Sequence, residues 1–222
     1  MFKYIINMYS LLQLETVLTE GKRPYHFDVS YFKRYNVMLL CSMVKNNFTS
    51  GNTIEVGVGE GHTSCYLRNY FDEKFTHYMF DSYEGLSEPT TEDLVGNPHA
   101  KQGNMKCSLE KVSSFMDSNC DNKNVKYVKG WVNDTIPQQL PDNICFAHID
   151  VDLYEPMYHS MKHIIPKMQN NGIILIDDYE DPVWVGCKTA CDLIEKEFNV
   201  KFTRINLPSS NFYQGVLQVV KQ

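Results

Sequence analysis

From residue 51 onward the chain alternates between two spacings of apolar residues. Short runs rich in β-branched residues, Thr53 to Val58, His77 to Asp81, Val125 to Lys129, Cys145 to Asp150 and Gly172 to Asp177, predict strands. Between them, His62 to Tyr70, Ser108 to Phe115, Met157 to Met168 and Gly186 to Phe198 carry helical spacing, and Asn171-Gly172 reads as the stop of the third helix. Strands that alternate with helices must pair in parallel, because each helix returns the chain to the end where the previous strand began. The pattern therefore predicts a doubly wound α/β sheet. Val200 to Asn206 and Gly215 to Val220 depart from it, being two strand-like runs with no helix between them, and so predict an antiparallel hairpin at the end of the sheet.

Two segments lie outside this alternation. Residues 1–50 are helical in pattern and broken by Gly21-Lys22-Arg23-Pro24, which predicts an N-terminal helical lid on a domain of residues 51–222. Glu15, Glu20, Tyr25 and His26 would be its contacts if it closes on a site, although a solvated helix face explains them as well. Ser82 to Cys107 is the longest stretch without periodicity, and a loop of that length in a compact domain is usually functional.

Composition narrows the classes. With 222 residues, 43% of them apolar, the chain supports one sizeable core. A net charge of −6, without a run of Lys or Arg, argues against a nucleic-acid partner. Met1 to Leu18 is interrupted by Lys3, Asn7, Gln13 and Glu15, so it is expected to be an amphipathic helix and no membrane partner is expected. The seven cysteines are scattered and odd in number, as expected of free thiols in the cytoplasm. A homodimer is left open.

Chemistry concentrates at two places. In Thr53 to Ser64 a strand runs into a turn with Gly57, Gly59 and Gly61 and then into a helix start, where missing side chains and free N–H groups let a cofactor touch backbone. Its G-x-G-x-G spacing differs from the G-x-G-x-x-G of dinucleotide sites. Asp81 ends the next strand, where an acid can accept both hydroxyls of an adenosine ribose, and Trp131 can stack on adenine or pack in the core. The second place is acidic. Ala147 to Tyr154 and Ile174 to Asp181 each end an apolar strand in carboxylates, which brings Asp150, Asp152, Asp177 and Asp178 together at neighbouring strand ends. Such charges repel unless a cation lies among them, and all-oxygen donors favour Mg²⁺, Mn²⁺ or Ca²⁺. Asp152 and Asp181 are equally explained as helix caps, and His148 as a packed, hydrogen-bonded core histidine. Tyr154 and Tyr179 line an acceptor site or cover the sheet.

Five ordered blocks carry a resemblance. Glu55 to Gly61, Phe80 to Leu86, Gly130 to Pro137, His148 to Glu155 and Asn171 to Tyr179 are similar to the macrocin O-methyltransferase family. The resemblance implies a Rossmann-like class I methyltransferase fold with a seven-stranded sheet, S-adenosylmethionine as methyl donor and a magnesium ion that holds a hydroxylated small molecule, a sugar above all. It implies Asp150, Asp177 and Asp178 as metal ligands and Asp81 as the ribose acid, with Glu55, Gly57, Thr63 and Ser64 around the methionine end. Gly59, Ser82, Gly130 and Trp131 fall in the same cofactor blocks. Asp150, and after it Asp152, would take the acceptor's proton. Two other readings stand beside this one: a metal-dependent glycosyltransferase built on Asp150-Val151-Asp152, and a non-catalytic adenosine-binding module.

Overall fold

The computed structural model describes residues 31–205 and 213–220. In chain order the elements are α1 (Tyr31–Asn47), β1 (Gly51–Val56), α2 (His62–Tyr70), β2 (Phe75–Asp81), α3 (Thr91–Gly96), α4 (Leu109–Asn119), β3 (Val125–Lys129), α5 (Val132–Gln139), β4 (Ile144–Ile149), α6 (Tyr154–Lys167), β5 (Met168–Ile176), α7 (Val185–Phe198), β6 (Thr203–Arg204) and β7 (Gly215–Gln218). The strands form one seven-stranded sheet in the order β3-β2-β1-β4-β5-β7-β6. The first five are parallel, and β7 runs antiparallel to both β5 and β6. The direction in which strands are added reverses between β1 and β4, and ligands of open α/β sheets bind in the crevice such a reversal opens at the carboxyl ends.

Strand periodicity sorts the apolar side chains between two faces. Ile174 and Ile176 of β5 point into a core shared with α5, α6 and α7, where Ile136, Met161 and Ile194 meet them. Ile173 and Leu175 point the other way, toward Val37, Leu40 and Val44 of α1 and Leu67 of α2. Central β4 is buried at every position, as a strand covered by helices on both sides must be. At roughly 1.5–3 kcal/mol for each large apolar side chain, these layers are the main source of stability and hold the strand ends still.

Most predicted elements appear, with informative differences. Asn171-Gly172 does not end α6, which stops at Lys167 because Met168 is fully buried as the first residue of β5. Asn171 instead takes φ 69° within β5, opposite a register shift in its pairing with β4. The aperiodic loop contains α3, whose Thr90 and Asp93 form a reciprocal capping box. Helix α5 begins within the Gly130 block and carries Pro137 inside it, which masks the helical signal. The hairpin is present, but β6 is only Thr203–Arg204. Residues 1–30, the greater part of the expected lid, lie outside the described residues. Among the described residues no helix is long and apolar enough to cross a membrane, and all seven cysteines are free.

Candidate active site

The carboxyl ends of β1, β2 and β3 shape one half of the crevice. Gly57 takes φ +81°, and a Cβ there would collide with the carbonyl of Asp150, so the turn can pass β4 only as glycine. A Cβ on Gly59, at φ +53°, would meet nothing within 4 Å, so the crest of the turn faces open space. Helix α2 then starts at Gly61 without a side-chain cap, leaving N–H groups for a ligand. Asp81 fastens this turn: one oxygen accepts from Val58 N at 2.7 Å and Gly59 N at 3.3 Å, the other from Tyr83 N at 2.6 Å. A carboxylate has about four lone-pair sites, so acceptor capacity remains for a ribose.

The other expected cofactor residues divide. Thr63 is partly exposed in the first turn of α2, and Gly130 and Trp131 lead from β3 into α5, with Gly130 N donating to the Asp81 carbonyl at 2.9 Å. Ser82 spends its hydroxyl inside its own loop, donating to Gly85 O at 2.8 Å and accepting from Glu84 N at 3.0 Å. Glu55, near the end of β1, and Ser64, in α2, are buried and bonded to each other. Nothing local in the chain singles out Tyr83, yet the residue is 1% exposed and its hydroxyl is the one buried side-chain oxygen or nitrogen without a hydrogen-bond partner among the described residues. Burial and the Asp81 charge hold that phenol well above the usual tyrosine range. An orphaned donor beside an open glycine turn fits a polar cofactor.

The ends of β4 and β5 form the other half, where charge meets charge. Asp150, Asp152 and Asp178 present carboxylate oxygens that all lie within 4.8 Å of one another. His148, Asp150 and Asp177 form a second such group, so Asp150 belongs to both. Asp152 (φ 61°) and Asp178 (φ 55°) have left-handed backbone, a conformation that costs free energy and clusters at functional sites. Burial, then the neighbouring carboxylates, raise Asp150 and Asp152 far above the ordinary range. For Asp178, burial and Asp177 raise the value to about 6.

A cation already stands among these acids. Lys33 of α1 approaches Asp177 at 2.6 Å and Asp178 at 3.6 Å. Burial disfavours its charge, but Asp177, Asp150 and Asp178 outweigh that and hold its pKa above the usual value. The second oxygen of Asp177 accepts from Gln214 Nε2 at 2.8 Å, and Asn36 of α1 donates to Gln214 Oε1 at 2.8 Å. Asp177 is thus clamped from α1 and from the residue before β7, partners far away in sequence. One ammonium leaves the four carboxylates undercompensated, and a hard cation on oxygen donors fits that remainder. Tyr179 is buried and Tyr154 partly so.

Asp93, also without a sequence signal beyond its capping box, ties the long loop to this half. Its Oδ1 accepts from Tyr154 N, the first residue of α6, at 2.8 Å, and its Oδ2 from Thr90 N at 2.8 Å. Gly186, at the start of α7, has no room for a Cβ beside that carboxylate.

A doubly wound sheet with a glycine turn after β1, an acid after β2 and an antiparallel final strand defines a class I methyltransferase. The macrocin O-methyltransferase (TylF) family model matches residues 33–208, and the chain belongs to this family of S-adenosylmethionine-dependent O-methyltransferases. It is 24% identical over 211 residues to the demethyldecarbamoylnovobiocin O-methyltransferase of Streptomyces niveus, covering 90% of this chain and 80% of that one. It is 28% identical over 163 residues to the 8-demethyl-8-(2,3-dimethoxy-alpha-L-rhamnosyl)-tetracenomycin-C 4'-O-methyltransferase of Streptomyces olivaceus, covering 69% of this chain and 62% of that one. The solved structure of the O-methyltransferase NovP shares the fold, with a TM-score of 0.71 and 22% identity over 85% of this chain and 80% of that one.

Proposed function

We propose that this methyltransferase transfers the methyl group of S-adenosylmethionine to a sugar hydroxyl of a natural product or its precursor, with a divalent cation, Mg²⁺ by preference, at the acid cluster. The observation that carries the reading is the convergence of Asp150, Asp152, Asp177 and Asp178 beside the open glycine turn, in more carboxylate than Lys33 offsets. The relatives' acceptors support the sugar: one is named as a rhamnosyl compound methylated on oxygen.

Methyl transfer from a sulfonium is an in-line displacement, so the chain's task is to align the acceptor oxygen and remove its proton. Gly57, Gly59, Asp81 and the α2 amides would hold the donor, with Thr63, Gly130 and Trp131 beside it, and Asp150, Asp177 and Asp178 would hold the metal. When bound, the cation would fix a vicinal diol and lower its hydroxyl pKa. Asp150 and Asp152 are the bases within reach. Asp150 belongs to both ligating groups and Asp152 to one, so Asp152 has the freer carboxylate for the proton.

The glycosyltransferase reading uses only Asp150 and Asp152, and neither it nor a non-catalytic module accounts for the family match. The test is transfer of a labelled methyl group to a panel of diol-bearing sugars, free, nucleotide-linked and attached to aglycones, with Mg²⁺ or with EDTA. Methylation that needs Mg²⁺ is expected; full activity in EDTA sinks the metal role, and labelling of acceptors lacking a sugar hydroxyl alone sinks the acceptor class.

A further inference from the structure

Beneath the two halves runs one unbroken line of buried hydrogen bonds. Thr53 Oγ1 lies 2.9 Å from His77 Nδ1, and His77 Nε2 lies 2.9 Å from Ser64 Oγ. Ser64 donates to Glu55 Oε2, and Glu55 Oε1 lies 3.0 Å from His148 Nδ1. These five side chains, from β1, β2, α2 and β4, are each at most 2% exposed.

The chemistry of the groups sets its direction. As a carboxylate, Glu55 can only accept, so the Ser64 proton points to it and Ser64 accepts from His77 Nε2. His77 Nδ1 then accepts from the Thr53 hydroxyl. On the far side His148 must donate through Nδ1, which commits Nε2 to face away from Glu55. His148 shares a group within 4.8 Å with Asp150 and Asp177. A histidine at a metal site commonly gives its other N–H to a carboxylate, which fixes ring and tautomer together.

We infer that Glu55 and His148 are a positioning pair, in which Glu55 holds the imidazole and the imidazole braces Asp150 and Asp177 for the cation. The inference rests on the metal reading above. It also gives Glu55 a purpose distinct from cofactor contact: the residue two positions before Gly57 ties the cofactor turn to the acid cluster.

The experiment measures Mn²⁺ affinity by electron paramagnetic resonance on the full-length protein without S-adenosylmethionine. Glu55→Gln forces one of its two hydrogen bonds to reverse, and His148→Asn removes the ring; each should weaken Mn²⁺ binding about ten-fold or more. The double variant should be no weaker than His148→Asn alone, because Glu55 acts through His148. Thr53→Val, at the far end of the line, should leave Mn²⁺ affinity within about two-fold of wild type, since additivity fails mainly between neighbours. Unchanged affinity in Glu55→Gln, or additive losses in the double variant, overturns the pair while the metal reading stands. Wild type that binds no Mn²⁺ overturns both. If the variants do not fold, ¹⁵N resonances of the His148 ring decide in wild type: adding Mg²⁺ should move Nε2 and leave Nδ1 protonated, and a ring that ignores Mg²⁺ overturns the inference.

Discussion

The two halves of the crevice handle charge in opposite ways. At the ends of β1 and β2 the carboxylate of Asp81 is met by backbone N–H groups of the turn it organises. At the ends of β4 and β5 several carboxylates are met by other side chains: Lys33, Gln214 and, beneath them, His148. Backbone partners come with the fold and need only glycine where a Cβ cannot fit. Side-chain partners arrive from distant elements and can exchange places with a ligand. The first half is therefore expected to be rigid and tolerant of conditions, the second sensitive to ions.

The largest effect should come from the acidic half. Asp150→Asn removes a carboxylate from both ligating groups, and turnover should fall by about 10²–10⁴-fold while S-adenosylmethionine affinity, measured by calorimetry, changes little. A proportionate loss of cofactor affinity would erase the distinction between the halves. In the glycine turn, Gly57→Ala meets the Asp150 carbonyl and should both destabilise the fold and abolish cofactor binding. Gly59→Ala has space and only its φ of +53° to oppose it, so thermal unfolding should show a cost of about 1 kcal/mol.

Lys33→Met tests whether ammonium and metal share the acids. Loss of a partly buried pair should lower apo stability by roughly 3 kcal/mol, and Mg²⁺ should then raise the thermal midpoint more in the variant than in wild type. Equal Mg²⁺ shifts would mean that Lys33 and the ion do not compete. The dependence on pH concerns His77, whose burial, aided by the Arg68 charge, depresses its pKa from 6.5 to about 3. Because the folded value is depressed, the contribution is complete above 6.5 and is lost as pH falls toward 3. Denaturant titrations should show a slope approaching about 1.4 kcal/mol per pH unit in that window, reduced in His77→Gln.

Sequence reading reached the glycine turn and Asp81 at the end of β2, because a glycine turn between a strand and a helix is local and its acid follows on the next strand. It also placed Asp150, Asp152, Asp177 and Asp178 together, since adjoining strand ends follow from the alternation. Lys33 and Gln214 were out of reach: nothing local marks a lysine in α1 or a glutamine before β7 as the partners of an acid after β5. The charge argument for a metal was accordingly incomplete, as it counted carboxylates without the ammonium between them. Glu55 and Ser64 were expected around the methionine end by their block, and their burial and the bond between them had no local signal. Asn171-Gly172 misled because the same left-handed chemistry that ends helices also bends strands.

Asp93 holds α3 to the first residues of α6 and lies against the first glycine-bearing turn of α7, so it fastens the middle of the loop to the helices beside the acids, while Leu86, Ala100 and Cys107 bury other parts of it. Between such fastenings, exposed stretches of the loop are free to vary. Segments between Ser82 and Cys107 could be exchanged among relatives to transplant acceptor preference, provided that Thr90, Asp93 and Gly186 stay as the fastening. Swaps that cut through that fastening would loosen the starts of both helices and be lost to misfolding before their selectivity could be read.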